Sequence, residues 1–422
     1  MTCETKPLEI AVLATGDELI NGEMADTNTS RIAGILGANG FALLESRVVG
    51  DVEQEIEKAL KDLAEKRQVV IVTGGLGPTE DDLTARVAAR AFGRRLALNE
   101  KALGQIRDFF ASRAMEMHAR NEKQALLPQQ STILGNRLGT APGFSLRYKE
   151  CDLFFLPGVP KEMVDMLEQQ VLPRLQLRSG GVMPLEERIL KVFGLSEPRV
   201  EDLINGQQLP EGVALAFGVD FPFVHVKLRA RGEGADQLLD QAELQVRKLL
   251  APYVFGRDRE TLAGNVARML TDAGLTIALA ESCTGGLVSQ MLTDLPGSSV
   301  YFERGAVTYS NAAKQDWLQV PTGVLETAGA VSEDCAKAMA RGIRDAAGSE
   351  LGLAITGIAG PAGGTEQKPV GTVFLALCDG RTDQVKGYRF SGDRERVRHM
   401  AGCMALEWIR RYLASRLESR QP

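Results

Sequence analysis

The chain has 422 residues, 44% of them hydrophobic and 25% charged, with a formal net charge of -6. That length suggests about three domains at roughly 150 residues each, and the balance is that of a protein with real cores. The acid excess argues against a general nucleic-acid binder, which carries a basic face. The opening MTCETKPLEI lacks the basic then apolar regions of a signal peptide, and no apolar run reaches the roughly 18 residues of a membrane span. Six scattered cysteines (Cys3, Cys151, Cys283, Cys335, Cys378, Cys403) form no CxxC and no Cys/His cluster, which fits a reducing cytoplasm and argues against structural zinc. Only three histidines exist, His118, His225 and His399, none in a glycine-rich turn. A histidine-based nucleophilic site would have to recruit one from elsewhere in the chain.

From Leu8 the sequence LEIAVLATGDELI reads as a strand entering a turn at Thr15-Gly16-Asp17-Glu18. Asp26-Thr27-Asn28 offers caps for a helix through Ile32, Ile35 and Leu36 that stops at Gly40. Phe41–Val49 is a second strand, Asp51 a cap for a helix with Ile56, Ala59, Leu60 and Leu63 inward, and Gln68–Thr73 a third, doubly buried strand. This β-α-β-α-β rhythm predicts a doubly wound, mostly parallel sheet, whose ligands sit at the carboxyl ends of the strands. There lies Thr73–Asp82, TGGLGPTEDD, opening the next helix. Gly74, Gly75 and Gly77 allow close approach of backbone N–H groups to a phosphate. Asp81 and Asp82, with Glu18 and Asp26, are hard oxygen donors suited to a magnesium-like ion. The same residues also suit a tight turn followed by acidic first-turn helix charges. NRLGTAPG (136–143) and LPGVPKEM (156–163) are further loops on this rim.

Pro173 to about Pro184 reads as a linker. Strands at Arg188–Val192 and Phe223–Arg229, with helices at Glu197–Ile204 and Ala235–Leu250, make a small α+β unit of KH size. Its nearest approach to the KH fingerprint, Gly232-Glu233-Gly234-Ala235, lacks the GxxG loop, so a spacer or dimer role is expected over RNA binding.

The last domain starts near Arg257. Its centre is Ala280–Lys314, AESCTGGLVSQMLTDLPGSSVYFERGAVTYSNAAK. An apolar strand, Leu275–Ala280, ends in a glycine turn that feeds a helix and sets Ser282 beside backbone N–H groups. Tyr309 and Lys314 follow a short apolar segment and could take the serine proton without histidine. Alternatively, Ser282 and Thr284 merely cap the helix and Lys314 is solvated. Cys283 is the rival nucleophile, read as a packed neighbour. Beyond it come a helix at Glu333–Ala347, the strand Leu351–Ile355, the loop TGIAGPAGG (356–364), two more strands, and a long helix from about Asp393. The loop is a second anion cradle, reinforced by Lys368 and by Arg394 or Arg398.

These segments resemble a known family. ATGDELINGEMADTN, TGGLGPTEDDLT, NRLGTAPG and LPGVPKEM are similar to the N-terminal domain of the CinA (competence/damage-inducible) proteins, related to the MogA/MoeA molybdopterin-binding domains. AESCTGG, GAVTYSNAAK, GAVSE, TGIAGPAGG and KPVGTV resemble the CinA C-terminal domain, which also occurs alone as the PncC nicotinamide-mononucleotide amidohydrolase. The resemblance implies three domains, a MogA/MoeA-like one at 1–172, a KH-like one at 184–252 and an amidohydrolase at 256–418. It implies conversion of nicotinamide mononucleotide to nicotinate mononucleotide and ammonia by Ser282, Tyr309 and Lys314. Thr284, Gly285 and Gly286 would hold the oxyanion; Gly357, Gly360, Gly363, Gly364 and Arg398 would hold substrate. For the first domain it implies hydrolysis of ADP-ribose to AMP and ribose 5-phosphate. Thr15, Gly16, Asn28, Gly74, Gly75, Gly77 and Thr79 would bind substrate there, with a divalent ion (magnesium, manganese or cobalt); the chemistry of the carboxylates, not the resemblance, assigns that ion to Glu18, Asp81 and Asp82. No cofactor is expected in the last domain. A cytoplasmic homodimer acting on small nucleotides, with no nucleic-acid or membrane partner, completes the expectation. The alternatives are a molybdopterin-binding protein and a non-catalytic protein of competence or recombination.

Overall fold

The structure, a computed structural model, describes residues 8–180 and 185–418. The chain divides into two compact units, one of residues up to Glu187 with Ala230–Ala235, the other of Arg188–Arg229 with the chain from Asp236 onward. None of the described helices is long and apolar enough to cross a membrane.

In the first unit β1 (Ile10–Thr15), β2 (Leu43–Val49) and β3 (Val69–Thr73) form the parallel core of the sheet. A short ribbon, β4 (Leu96–Leu98) with β5 (Leu126–Pro128), stands apart. β6 (Thr132–Leu134), β7 (Gly143–Tyr148) and β8 (Cys151–Leu156) complete a six-stranded sheet of order β2-β1-β3-β8-β7-β6. β8 is parallel to β3, and the last two pairings are antiparallel. β1 and β3 are buried along their whole length and apolar up to their closing threonines because helices cover both faces, giving two cores on either side of the sheet. Asp26 caps its helix by accepting from the Thr29 amide. Asp51 does not cap the helix Glu53–Lys66: its carboxylate accepts from the Asp17 amide, and Asp17 returns the bond to the Asp51 amide. The expected linker is helical at its start, since Leu172–Arg178 continues a helix; residues 181–184 lie outside the described residues.

In the second unit β9 (Leu185–Val192), β10 (Ala214–Asp220), β11 (Phe223–Arg231) and β12 (Val254–Arg257) form a sheet of order β10-β11-β9-β12. β13 (Ile277–Glu281), β14 (Phe302–Val307), β15 (Leu351–Gly357), β16 (Thr372–Cys378) and β17 (Asp383–Arg389) form another, of order β14-β13-β15-β16-β17. β14, β13 and β15 are parallel. Phe193, just after β9, and Phe255, within β12, belong to the same apolar cluster as Ile277, Leu353, Leu406 and Ile409. The spacer expectation for the small sheet is therefore too loose, because its edge is built into the core of its neighbour.

Candidate functional sites at two strand-end rims

β13 lies between β14 and β15, so its carboxyl end is the point where successive crossovers leave in opposite directions. The chain there must turn from strand to helix within five residues. Gly285 (φ +62) and Gly286 (φ +91) supply the left-handed backbone that a side chain would strain. Glu281, fully buried, holds the turn together. Its carboxylate accepts from the Gly286 amide (3.0 Å), the Val288 amide (3.2 Å), and the Ser289 amide and hydroxyl (2.7 Å each). Sequence reading missed this role, although a lone carboxylate ending an apolar strand is its signal. Replacing Glu281 by Gln would put an NH₂ where one oxygen now accepts. We expect E281Q to lower the unfolding free energy by about 2 kcal/mol or more, read by urea denaturation, with wild-type stability as the contrary result.

Ser282 (8% exposed) follows directly, its amide bonded to the Ile355 carbonyl at 2.9 Å. Lys314, from the helix Asn311–Leu318, is 1% exposed and turns inward. Its Nζ donates to Ser282 Oγ at 3.2 Å, to the Thr308 carbonyl at 2.7 Å and to the Tyr309 carbonyl at 3.4 Å. Burial lowers its pKa below the usual lysine range, and no carboxylate pairs with it among the described residues. The structure thus brings serine and lysine together. It does not bring the Tyr309 phenol to them: that side chain is 61% exposed, and its hydroxyl accepts from Arg394 Nη2 at 3.1 Å. Cys283 is packed into the core, and burial pushes its thiol up to about 12, which keeps it protonated and weakly nucleophilic.

The expected oxyanion donors need correction. The Gly285 amide donates to the Ser282 carbonyl (3.1 Å) and the Gly286 amide to Glu281, so neither faces a ligand. Among the described residues the Cys283 and Thr284 amides have no oxygen acceptor and act on the Cys283 sulfur, so of the expected set only Thr284 keeps an amide without an oxygen partner. Opposite the turn, Arg398 donates to the Thr284 carbonyl (2.7 Å) and Arg394 to the Gly360 carbonyl (2.8 Å). The helix Arg394–Glu418 thereby ties TGIAGPAGG to the serine turn. Gly360 and Gly363 lie in that loop with positive φ; Gly364 packs against Val370, and Gly357 against the Thr372 carbonyl. Lys368 donates to the Ala328 carbonyl.

The second rim lies at the carboxyl ends of β1 and β3, around a cavity of about 440 Å³. Thr15, Gly16, Asn28, Gly74, Gly75 and Gly77 all line it. Gly74 (φ +109) passes so near Thr15 that a Cβ would meet its carbonyl oxygen at 2.3 Å. Asn28 bridges Thr73 Oγ1 (3.1 Å) and the Gly158 carbonyl (2.7 Å). Glu18, Asp26, Asp51, Asp81, Asp82 and Glu162 also line the cavity, with no lysine, arginine or histidine. Asp51, read from sequence as a cap, is raised in pKa by burial and by the charges of Asp17, Glu18 and Asp81.

The expected ligand trio does not form. Asp82 closes its own loop, accepting from the Gly77 amide (2.7 Å), the Thr79 amide (2.8 Å) and the Thr79 hydroxyl (2.5 Å). Thr79 is likewise occupied within the loop. Among the described residues no group of three or more His, Cys, Asp or Glu side chains is placed to hold a metal ion. Glu18, Asp81 and Asp82 therefore do not fit a resident ion, because one of the three is a structural clasp.

Comparison with known proteins gives matches in the same order as the domains. Residues 11–177 match the probable molybdopterin binding domain, 187–256 the damage-inducible protein CinA KH domain, and 259–413 the CinA C-terminal domain. A CinA-like protein of Syntrophotalea carbinolica is 69% identical over 97% of this chain and 99% of its own length. One from Geobacter sulfurreducens is 50% identical over 96% and 99%. Among solved structures, a competence-damaged protein (CinA) superfamily protein from Klebsiella pneumoniae is 37% identical, covering 36% of this chain and 96% of that one, with a TM-score of 0.36.

Proposed function

Since the chain belongs to the CinA family, we propose that its C-terminal site hydrolyses the carboxamide of nicotinamide mononucleotide and its N-terminal site hydrolyses ADP-ribose. The first half of this reading rests on one observation, the 3.2 Å contact between Ser282 Oγ and a buried Lys314 Nζ with lowered pKa. A neutral amine there accepts the serine proton as Oγ attacks the carboxamide carbon. The Cys283 and Thr284 amides stabilise the oxyanion, a contribution of about 3–4 kcal/mol where such donors have been removed elsewhere. Lys314 then returns the proton to the departing nitrogen, ammonia leaves, and water attacks the acyl-enzyme with the same amine as base. Arg398, Arg394 and the glycine loop take the nucleotide phosphate. Tyr309 joins the substrate pocket through Arg394 and is a binding residue in this reading.

For the N-terminal site, ADP-ribose would give AMP and ribose 5-phosphate. A diphosphate among carboxylates, with no basic side chain in the lining, needs its charge neutralised. A divalent ion bound to the substrate as its counter-ion would supply that neutralisation. Both reactions would serve cytoplasmic pyridine-nucleotide salvage, in a homodimer.

The deciding experiment is a substrate panel with ammonia and AMP measured separately, with and without EDTA. Chelation should stop AMP formation and leave ammonia release intact; equal loss of both would overturn the division. The description of the first family favours a second reading, a molybdopterin binder. Absence of AMP, with molybdopterin co-purifying, would select it. A salt-dependent shift on DNA with neither turnover would select the competence or recombination role.

A further inference from the structure

The six-stranded sheet carries a second cavity at the end away from the glycine loops. Side chains alternate across the sheet. Leu134, Phe154 and Leu156 face the core formed with the helices Pro160–Met166 and Leu172–Arg178. Continuing that alternation along the same face gives Thr132, Ser145, Arg147 and Asp152. Their register is fixed by the pairings Thr132↔Ser145, Ser145↔Phe154 and Arg147↔Asp152. Four polar residues, Thr132 and Arg147 among them exposed, thus continue this face beyond the core and line an open cleft of about 330 Å³. Asp152 pairs with Val69, the first residue of β3, so the cavity lies at the amino ends of the parallel strands. The glycine-loop rim is at the other end.

Three arginines line this cavity, Arg94, Arg147 and Arg174. Arg94 is held by two carbonyls, Nη1 on Gln129 (3.0 Å) and Nη2 on Arg147 (2.9 Å). Arg174 Nη1 donates to the Ser145 hydroxyl at 2.8 Å, and Ser145 is 8% exposed. Neither Arg94 nor Arg174 has a carboxylate partner among the described residues. The only carboxylate in the lining, Asp152, is already held by Arg178, with Arg147 at 3.9 Å. Two guanidinium groups without a carboxylate partner, Arg94 half-buried and Arg174 exposed, and a buried hydroxyl with a proton left to donate therefore line one cleft, in a chain of net charge -6. A planar guanidinium fork matches the paired oxygens of a phosphate, and a hydrogen-bonded charge pair is stronger than a neutral one. The volume falls in the range of small-molecule sites.

We propose that this cavity is a second anion site of the N-terminal domain, taking a phosphate group, free or on a small sugar phosphate. It is independent of the two hydrolytic sites. Its ligand needs no accompanying metal, because the cations are built in.

The test is calorimetric titration of the full chain in EDTA with inorganic phosphate and, separately, ribose 5-phosphate. Wild type is compared with R94Q/R174Q and with R174K, each first checked for native circular dichroism. R174Q alone replaces the double variant if that one does not fold. The C-terminal arginines are unchanged in all of them, so any phosphate they take up is common to every titration. We expect wild type to show a binding event, beyond any uptake common to all the proteins, that weakens at least tenfold in the glutamine variant. R174K should fall between them, since it keeps the charge and loses the fork. A response to phosphate alone identifies the free ion as sufficient; a response to ribose 5-phosphate alone identifies a sugar contact as well. Titrations indistinguishable between wild type and R94Q/R174Q, or no binding of either ligand to wild type, would overturn the proposal.

Discussion

Ser282→Ala should eliminate ammonia release from nicotinamide mononucleotide while leaving AMP formation from ADP-ribose at the wild-type rate. The loss should be at least about 10³-fold, the scale seen when a nucleophile that acts together with its base is removed. Because serine and lysine act as one unit, Ser282→Ala combined with Lys314→Met should be no slower than either change alone. Ser282 is small, and its hydroxyl receives one bond, from Lys314. Its removal should therefore cost little stability and leave the fold a fair background for the assay. If the alanine variant keeps more than about a tenth of wild-type ammonia release, a loss well short of that scale, the nucleophile is another group.

Lys314→Met should be equally inactive, and it carries a second signature in pH. Burial lowers the folded pKa of Lys314 below the ordinary value of about 10.4. The amine works as a base only when neutral, so ammonia release should rise with pH and level off before the ordinary lysine range. Stability follows the same sign. Between the lowered folded pKa and about 10.4 the unfolded chain binds more protons at this residue than the folded one, so stability rises with pH across that window. Below the folded pKa both states are charged and the full burial cost is present; above about 10.4 it is gone. Methionine has no proton to exchange, so its unfolding free energy should climb less steeply over the window, by up to about 1.4 kcal/mol per pH unit. Parallel urea denaturation of both proteins from pH 7 to 10 reads the difference. Identical slopes would mean that Lys314 is already solvated in the folded protein.

The sheets were legible because their central strands, IAVLAT, VVIVT and IALAE, are apolar up to their last residue, a pattern that survives without knowing what covers it. The glycine turns were legible for the same local reason. Which polar side chain does what within a turn was not. Asp81 and Asp82 are adjacent and chemically alike, yet only the hydrogen bonds from Gly77 and Thr79 show that Asp82 is a clasp. Lys314 sits in a helix where a lysine is ordinarily solvated. Its inward turn depends on the Thr308 and Tyr309 carbonyls, which the chain brings there only after β14 has paired with β13. Tyr309 could be placed near the site by the short apolar segment before it and by resemblance, but its direction is set by Arg394, some 85 residues away along the chain.

Phe193 and Phe255 also bear on how such a protein can be divided. A fragment starting at residue 259 keeps the entire serine–lysine machinery but loses two aromatic plugs from its interior. The freed patch would be greasy, and a free-standing relative must fill or cover it with other side chains. The boundary between the two family matches, 187–256 and 259–413, therefore does not coincide with the boundary of the packed interior.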